Sequence, residues 1–433
     1  MKQLSTSDPK FHQAFQKILN RLPVSDDAVS ETALTILRAV RKEGDRAVIR
    51  YTKKWDHLEI TAKTMRVTEN EIQAAYRIVP ADVVKSLKYA AQRIFAFHRR
   101  QKISGWTISK EGISLTQRVH PIERVGLYVP GGKAAYPSSV LMNAIPAKVA
   151  GCSEIRMCTP TQGGIVNPAT LVAADIVGVS EIYKIGGVQA IGALAYGTQT
   201  IPKVDKIVGP GNQYVAAAKR LVFGQVDIDM IAGPSELVIV ADEAATVSYL
   251  ASDLLSQAEH DEEAVVILLT YSETLVKNLM PEMKRQQEDL PRKKIIAASL
   301  KKHGLIIITR DIAEATALAN EIAPEHLSLF VKNPRRHLNQ IINASSVFLG
   351  EDTPQSLGDY IAGPNHVLPT GGTARFFSPL SVDDFIRKSS VTEYSKVALK
   401  KSGHHLIRIA EMEGLTAHAN MVTIRTGNKR SSE

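Results

Sequence analysis

The chain has 433 residues, 44% hydrophobic and 22% charged, which excludes a disordered or fibrous polymer and predicts two or three structural units. The formal net charge is +9, from 53 basic against 44 acidic residues, but runs such as Arg99-Arg100-Gln101-Lys102, Lys284-Arg285 and Lys400-Lys401 lack interleaved aromatics. They read as solvated faces rather than a nucleic-acid surface.

In chain order, residues 1–103 carry only helical patterns: ETALTILRAVRKEG, VTENEIQAAYRIV and PADVVKSLKYAAQRIFAFHRRQK, the last opening on Pro80. Alternating runs on either side of Lys110-Glu111-Gly112 predict a hairpin with glycine in the turn. From Arg124, short apolar strands alternate with helices. RVGLYVP, EIRMCTP, EIYKIGG and DKIVGPG each lead into a helix, and a second series runs through ELVIVAD, AVVILLT, GLIIITR, HLSLFV and SVFLG. Strand-helix alternation of this kind predicts two doubly wound parallel sheets within 124–380. From Asp383 the pattern is one of short charged helices, a tail too small for its own core, which must pack on something.

Only Cys152 and Cys158 are present, too few for a disulfide framework or a thiolate zinc site. With no apolar leader and no apolar run of about 18 residues, the expected location is the cytoplasm.

Ligands of open α/β sheets sit beyond the carboxyl ends of strands, so the loops that follow strands are searched first. Three of them, after Tyr128, Ile185 and Val208, are glycine turns that suit either an anion at a helix N-terminus or a tight structural turn; GxGxxG is absent. In LLSQAEH, Gln257 and His260 stand three residues apart on one helical face, fit for a shared metal or for a solvated helix end. Further polar residues stand in Ala232-Gly-Pro-Ser-Glu236, in Ala323-Pro-Glu-His326, in the glycine-rich loop 350–372 with Asp359 and His366, and in Glu411 to His418. Glu325 and His326 would face opposite sides of a strand unless the loop bends.

Taken in order, ERVGLYVPGG, GPGN, AGPSE, LLSQAEH, APEHL, GDYIAGPNHVLPTGG and EGLTAH resemble the L-histidinol dehydrogenase family, from about Arg124 to His418. The resemblance implies an α/β fold of two incomplete Rossmann-like doubly wound domains, one inserted in the other, plus helical N-terminal and C-terminal segments. The expected division is 1–25 as an N-terminal helical arm, 26–127 with 236–381 as the domain of metal and catalytic residues, 128–235 as the nucleotide-binding domain, and 382–433 as a helical tail crossing to a second copy. It further implies a zinc ion on Gln257, His260, Asp359 and His418, the last lent by the partner of a homodimer. His326 would be the general base and Glu325 the activator of water; Ser235, His366 and Glu413 would join the metal ligands and His326 in contacting substrate. Tyr128, Gln189 and Asn212 would hold NAD+. The implied reaction oxidises L-histidinol through L-histidinal to L-histidine with two NAD+ and one water. Two alternatives are a zinc- and NAD-dependent dehydrogenase of another small polar alcohol, such as a sulfonated diol, and a non-catalytic or nucleic-acid-binding protein using the basic charge.

Overall fold

The computed structural model describes residues 1–19, 27–131, 136–161, 163–231 and 233–427; the expected boundary at residue 25, Gly132 and Ala232 lie outside them. The chain divides into two units, 1–101 with 122–385 and 102–121 with 386–433.

In chain order the described strands are β1 (Lys2–Ser5), β2 (Trp106–Lys110), β3 (Ile113–Pro121), β4 (Arg124–Tyr128), β5 (Glu154–Cys158), β6 (Glu181–Tyr183), β7 (Lys206–Val208), β8 (Asp227–Ile228), β9 (Glu236–Ala241), β10 (Val265–Thr270), β11 (Gly304–Ile308), β12 (His326–Phe330), β13 (Ser346–Leu349) and β14 (Ile386–Tyr394). The first unit holds two sheets, ordered β6-β5-β4-β7-β8 and β1-β11-β10-β9-β12-β13, and every pairing in both is parallel. Leaving out the edge strand β1, each sheet follows the doubly wound order 3-2-1-4-5, with the order reversing between β4 and β7 and between β9 and β12. The two expected doubly wound sheets are therefore present, the first lying within the chain span of the second.

Both faces of each sheet are covered, which is why the strands read as near-continuous apolar runs. Along β9, Leu237, Ile239 and Ala241 pack with the helix Val247–Ala258, while Val238 and Val240 pack on the opposite face with the helix Ile312–Ile322. The N-terminal helices form an outer layer on the other sheet. Val40 and Val48 join the core of Ile191 and Ile207, and Ala90 and Ile94 join that of Val140 and Leu127. The helical segment 27–98 thus packs beside the sheet of 124–228, whereas β1 and the helix Phe11–Leu19 pack on the sheet of 236–349.

Two helical expectations are corrected. Lys2–Ser5, in the expected helical arm, is an edge strand paired with β11. Residues Ile386–Tyr394, in the expected helical tail, are β14, which pairs with β3 over its whole length. In each case the hydrogen-bond partner lies far away in sequence, and local pattern carries no sign of it.

The second unit is the sheet β14-β3-β2 with the helices Lys396–Met412 and Thr416–Thr426. The expected hairpin is there: Glu111 and Gly112, at φ +51° and +80°, turn β2 into β3 with the left-handed pair that matches strand twist. At Gly403 a Cβ would lie 2.6 Å from Val422, so the two helices approach closely there.

Gly209, beyond β7, has φ +115°, and a Cβ there would stand 2.0 Å from the backbone oxygen of Tyr128. Gly209→Ala is expected to cost about 2 kcal/mol or more in denaturant unfolding, because neither backbone can yield. A loss under about 0.5 kcal/mol would overturn that reading.

Candidate active site

The site is assembled from the start of β12 outward. Glu325 Oε2 accepts the backbone N–H of Glu236 at 2.7 Å, and His326 Nδ1 lies 3.1 Å from the Glu236 carbonyl oxygen. A carbonyl oxygen only accepts, so Nδ1 carries the proton and Nε2 presents its lone pair. The loop ahead of β12 does bend: Glu325 and His326 stand 3.6 Å apart, Oε2 to Nδ1, instead of on opposite sides of the sheet. Both are buried.

The search rule that favoured carboxyl ends of strands fails for this sheet. Ser235, Glu236, Glu325 and His326 lie at the amino ends of β9 and β12, on either side of the reversal point. Incoming loops deliver them there, and a helix end joins them. Gln257 lies in the last turn of Val247–Ala258, and His260 follows it, exposed. His326, Ser328 and Phe330 alternate onto the sheet face this helix covers, since Phe330 shares its apolar cluster.

The loop after β13 closes the site. Glu351 accepts from Thr246 N and Oγ1, at 2.9 and 3.1 Å, at the start of the Val247–Ala258 helix, a favourable place for a carboxylate. The short helix Ser356–Tyr360 carries Asp359, whose Oδ1 is 3.8 Å from His326 Nε2. His366 Nδ1 donates to the Asp359 carbonyl at 2.9 Å, and its Nε2 faces Ser139 Oγ at 3.4 Å, from the helix that follows β4. Gly371 N–H then returns to Glu236 Oε1 at 3.1 Å.

Electrostatics confirm the convergence. Burial, ahead of every other cause, pushes His326 and His366 down; Asp359 pulls both up, and His260 pushes both down. Glu325 is raised well above the usual carboxylate range by burial, with Glu236 and Asp359 adding to the rise against the Glu236 N–H. His260, Glu325, His326, Asp359 and His366 therefore share one space. Ser235 is half-buried beside it, and its carbonyl accepts Val265 N–H at 2.9 Å.

Gln257 is the test of fit for a metal. It is 0% exposed, yet neither amide atom has a hydrogen-bond partner. An amide stranded in this way calls for a ligand that its oxygen can reach. Among the described residues no three His, Cys, Asp or Glu side chains gather as a metal cluster. Of the other expected ligands the first unit holds two, His260 and Asp359, both of which act on His326 and His366. Glu413, capping the helix Lys396–Met412, and His418, in the first turn of Thr416–Thr426, are exposed on the second unit.

The glycine turns lie at the carboxyl ends of the other sheet. Tyr128 is buried, which pushes it up to about 12 against the lowering effect of the Gly187 N–H that its hydroxyl accepts at 3.1 Å. Gln189, also buried, donates to Asp56 at 3.4 Å. Asn212 Oδ1 caps the helix Gln213–Val222 through Tyr214 N and Val215 N, both at 3.1 Å. Asp229 accepts Gly209 N–H at 2.7 Å and pairs with Lys219, which donates to the Gly209 carbonyl at 2.9 Å. Sequence reading missed Glu236, Glu351 and the Lys219–Asp229 pair; the buried acid inside an apolar strand start, Glu236, was the one visible signal.

A model of the family described as histidinol dehydrogenase matches residues 19–426. The chain belongs to the histidinol dehydrogenase family. Family members from Syntrophotalea carbinolica and Geobacter sulfurreducens are each 51% identical, over 426 and 427 residues, covering 98% of this chain and 99% and 100% of theirs. The crystal structure of histidinol dehydrogenase from Elizabethkingia anophelis matches with a TM-score of 0.93 at 40% identity, covering 99% of this chain and 98% of that one. No helix among the described residues is long and apolar enough to cross a membrane.

One buried acid behind the site has a measurable consequence. Asp253, one helical turn before Gln257, is 6% exposed with Oδ2 unpartnered, and burial pushes its carboxyl up to about 6. A raised carboxyl stabilises the fold fully below its unfolded value and loses that contribution as pH rises through about 6. In metal-free protein, Asp253→Asn is expected to gain about 1 kcal/mol on the parent between about pH 5 and 7 in denaturant unfolding. A gap independent of pH would refute it.

Proposed function

We propose that the chain oxidises L-histidinol to L-histidine through L-histidinal, passing two hydrides in succession to two NAD+ and consuming one water. The observation that carries this reading is the pair Glu325 and His326, buried side by side with the imidazole tautomer set by the Glu236 carbonyl. The names of its relatives supply the substrate.

The first oxidation needs a neutral base at the carbinol oxygen. His326 meets that need: burial keeps it neutral, and Nε2 carries the free lone pair. As the hydride leaves carbon for the nicotinamide, His326 takes the hydroxyl proton. The aldehyde must then gain water before a second hydride can leave. Glu325, 3.6 Å from the imidazole, is placed to take a proton from that water, and its elevated carboxyl makes it a stronger base than a surface glutamate once ionised. His326 returns its proton to the carbonyl oxygen as the water adds and, neutral again, serves at the hydrate hydroxyl. Ser235 and His366 flank the substrate, and Tyr128, Gln189 and Asn212 belong to the dinucleotide end.

The donor set suits zinc, with manganese the other N/O-accepting choice: Gln257, His260 and Asp359 of one chain would hold it with His418 of a second copy. A bound divalent ion would supply Lewis-acid coordination that orients the amino alcohol. The second unit fits a homodimer. Val397, Ile409, Met412 and Ile424 are 77%, 55%, 82% and 71% exposed on its two helices, an apolar surface suited to covering by another copy, with Glu413 close by to meet a substrate ammonium.

Purified protein given L-histidinol and excess NAD+ is expected to form two NADH per substrate, with L-histidine as product and loss of rate after chelator treatment. A single NADH with the aldehyde as end product would defeat the proposal. Co-expressed His326→Ala and His418→Ala chains, each inactive alone, should regain about a quarter of parental activity, because half the dimers keep one intact shared site. No recovery would mean that the site is not shared.

A further inference from the structure

A Rossmann dinucleotide site ordinarily takes a ribose hydroxyl on an acid near the carboxyl end of the second strand. Here the second strand of the first doubly wound sheet, β5, runs out as Met157-Cys158-Thr159-Pro160, with no carboxylate. An acid arrives at the same edge from a different element. Asp56 is the last residue of the helix Asp45–Asp56, which stops because His57 turns left-handed at φ +52°.

One hydrogen bond and one electrostatic effect locate the Asp56 carboxylate. Its Oδ2 accepts from Gln189 Nε2 at 3.4 Å, and Gln189 sits in the first turn of the helix that follows β6. Its charge also acts on Tyr128, at the end of β4. The start of that helix is itself tied to Tyr128, whose hydroxyl accepts Gly187 N–H, and β5 lies between β6 and β4, so an acid bonded there stands beside the end of β5. That is the place the missing Rossmann acid would occupy. Asp56 is half-buried, and among the described residues its Oδ1 accepts no hydrogen bond, so one oxygen is left for a ligand.

We propose that Asp56 is the ribose-binding acid of the cosubstrate site: its free oxygen accepts the hydroxyls of the adenosine ribose, and its charge rejects a 2′-phosphate, selecting NAD+ over NADP+. The inference rests on the reading of the chain as a dehydrogenase that uses a nicotinamide dinucleotide.

The test measures binding of NAD+ and NADP+ by calorimetry, together with KM and kcat for each, in the parent and in Asp56→Asn and Asp56→Ser. The expected result is a rise in KM and Kd for NAD+ of about ten- to hundredfold, the effect of one lost charged hydrogen bond, and a narrowed preference over NADP+. The change should fall on dinucleotide KM more than on kcat. A general loosening of the fold would weaken both dinucleotides alike, and an unchanged NAD+ to NADP+ ratio in both variants overturns the proposal. If the parent reduces NAD+ and only the ratio fails to move, the role of Asp56 falls alone; if the parent neither binds nor reduces either dinucleotide, the dehydrogenase reading falls with it.

Discussion

Glu236 presents its backbone N–H to the Glu325 side chain and its backbone carbonyl to that of His326. Both groups belong to the first residue of β9, next to the first residue of β12, at the reversal point of a sheet whose strands are buried on both faces. The orientation of Glu325 and the tautomer of His326 are thereby tied to the pairing of two core strands. Turning either side chain away would forfeit its bond to a backbone group that the sheet holds fixed. The same burial also sets its chemistry: it raises the Glu325 carboxyl and lowers the His326 imidazole, disfavouring the charged form of each.

The loop after β13 extends this rigidity to residues that lie on no strand. Glu351 ties the start of the loop to the helix leading to Gln257 and His260, and Gly371 ties its end to Glu236. Between those anchors, Asn365 donates to the Met142 carbonyl at 2.7 Å, and His366 meets Ser139, so the loop also grips the helix that follows β4. A single connection thus joins the amino ends of one sheet to the carboxyl-end elements of the other. A ligand held between them would meet Glu325, His326 and His366 together with the helix that follows β4.

The stranded amide of Gln257 has a cost. A buried amide with neither atom paired is expensive, and one turn earlier on the same helix Asp253 also keeps an unpaired oxygen. These residues trade stability for a polar interior behind the site, in keeping with a region shaped for a ligand rather than for packing.

Several parts of this protein were legible in the residues. Strand and helix alternation from Arg124 onward announced two doubly wound sheets, because buried parallel strands need apolar runs and their crossovers need helices. The hairpin at Glu111-Gly112 was legible because its turn demands left-handed backbone. The order of seven short motifs was enough for the family. Other features were hidden. β1 and β14 owe their conformation to partners hundreds of residues away, and the placing of helices 27–98 on the sheet of 124–228 depends on which apolar stripe meets which. Only the folded chain put Glu325 beside His326 at an amino edge, gave Glu236 its double grip, and carried Asp56 to the end of β5. Local pattern determines which segments bury an apolar face; tertiary structure alone decides which distant backbone groups those segments meet, since hydrogen bonds between strands are closed in space and leave no trace along the chain.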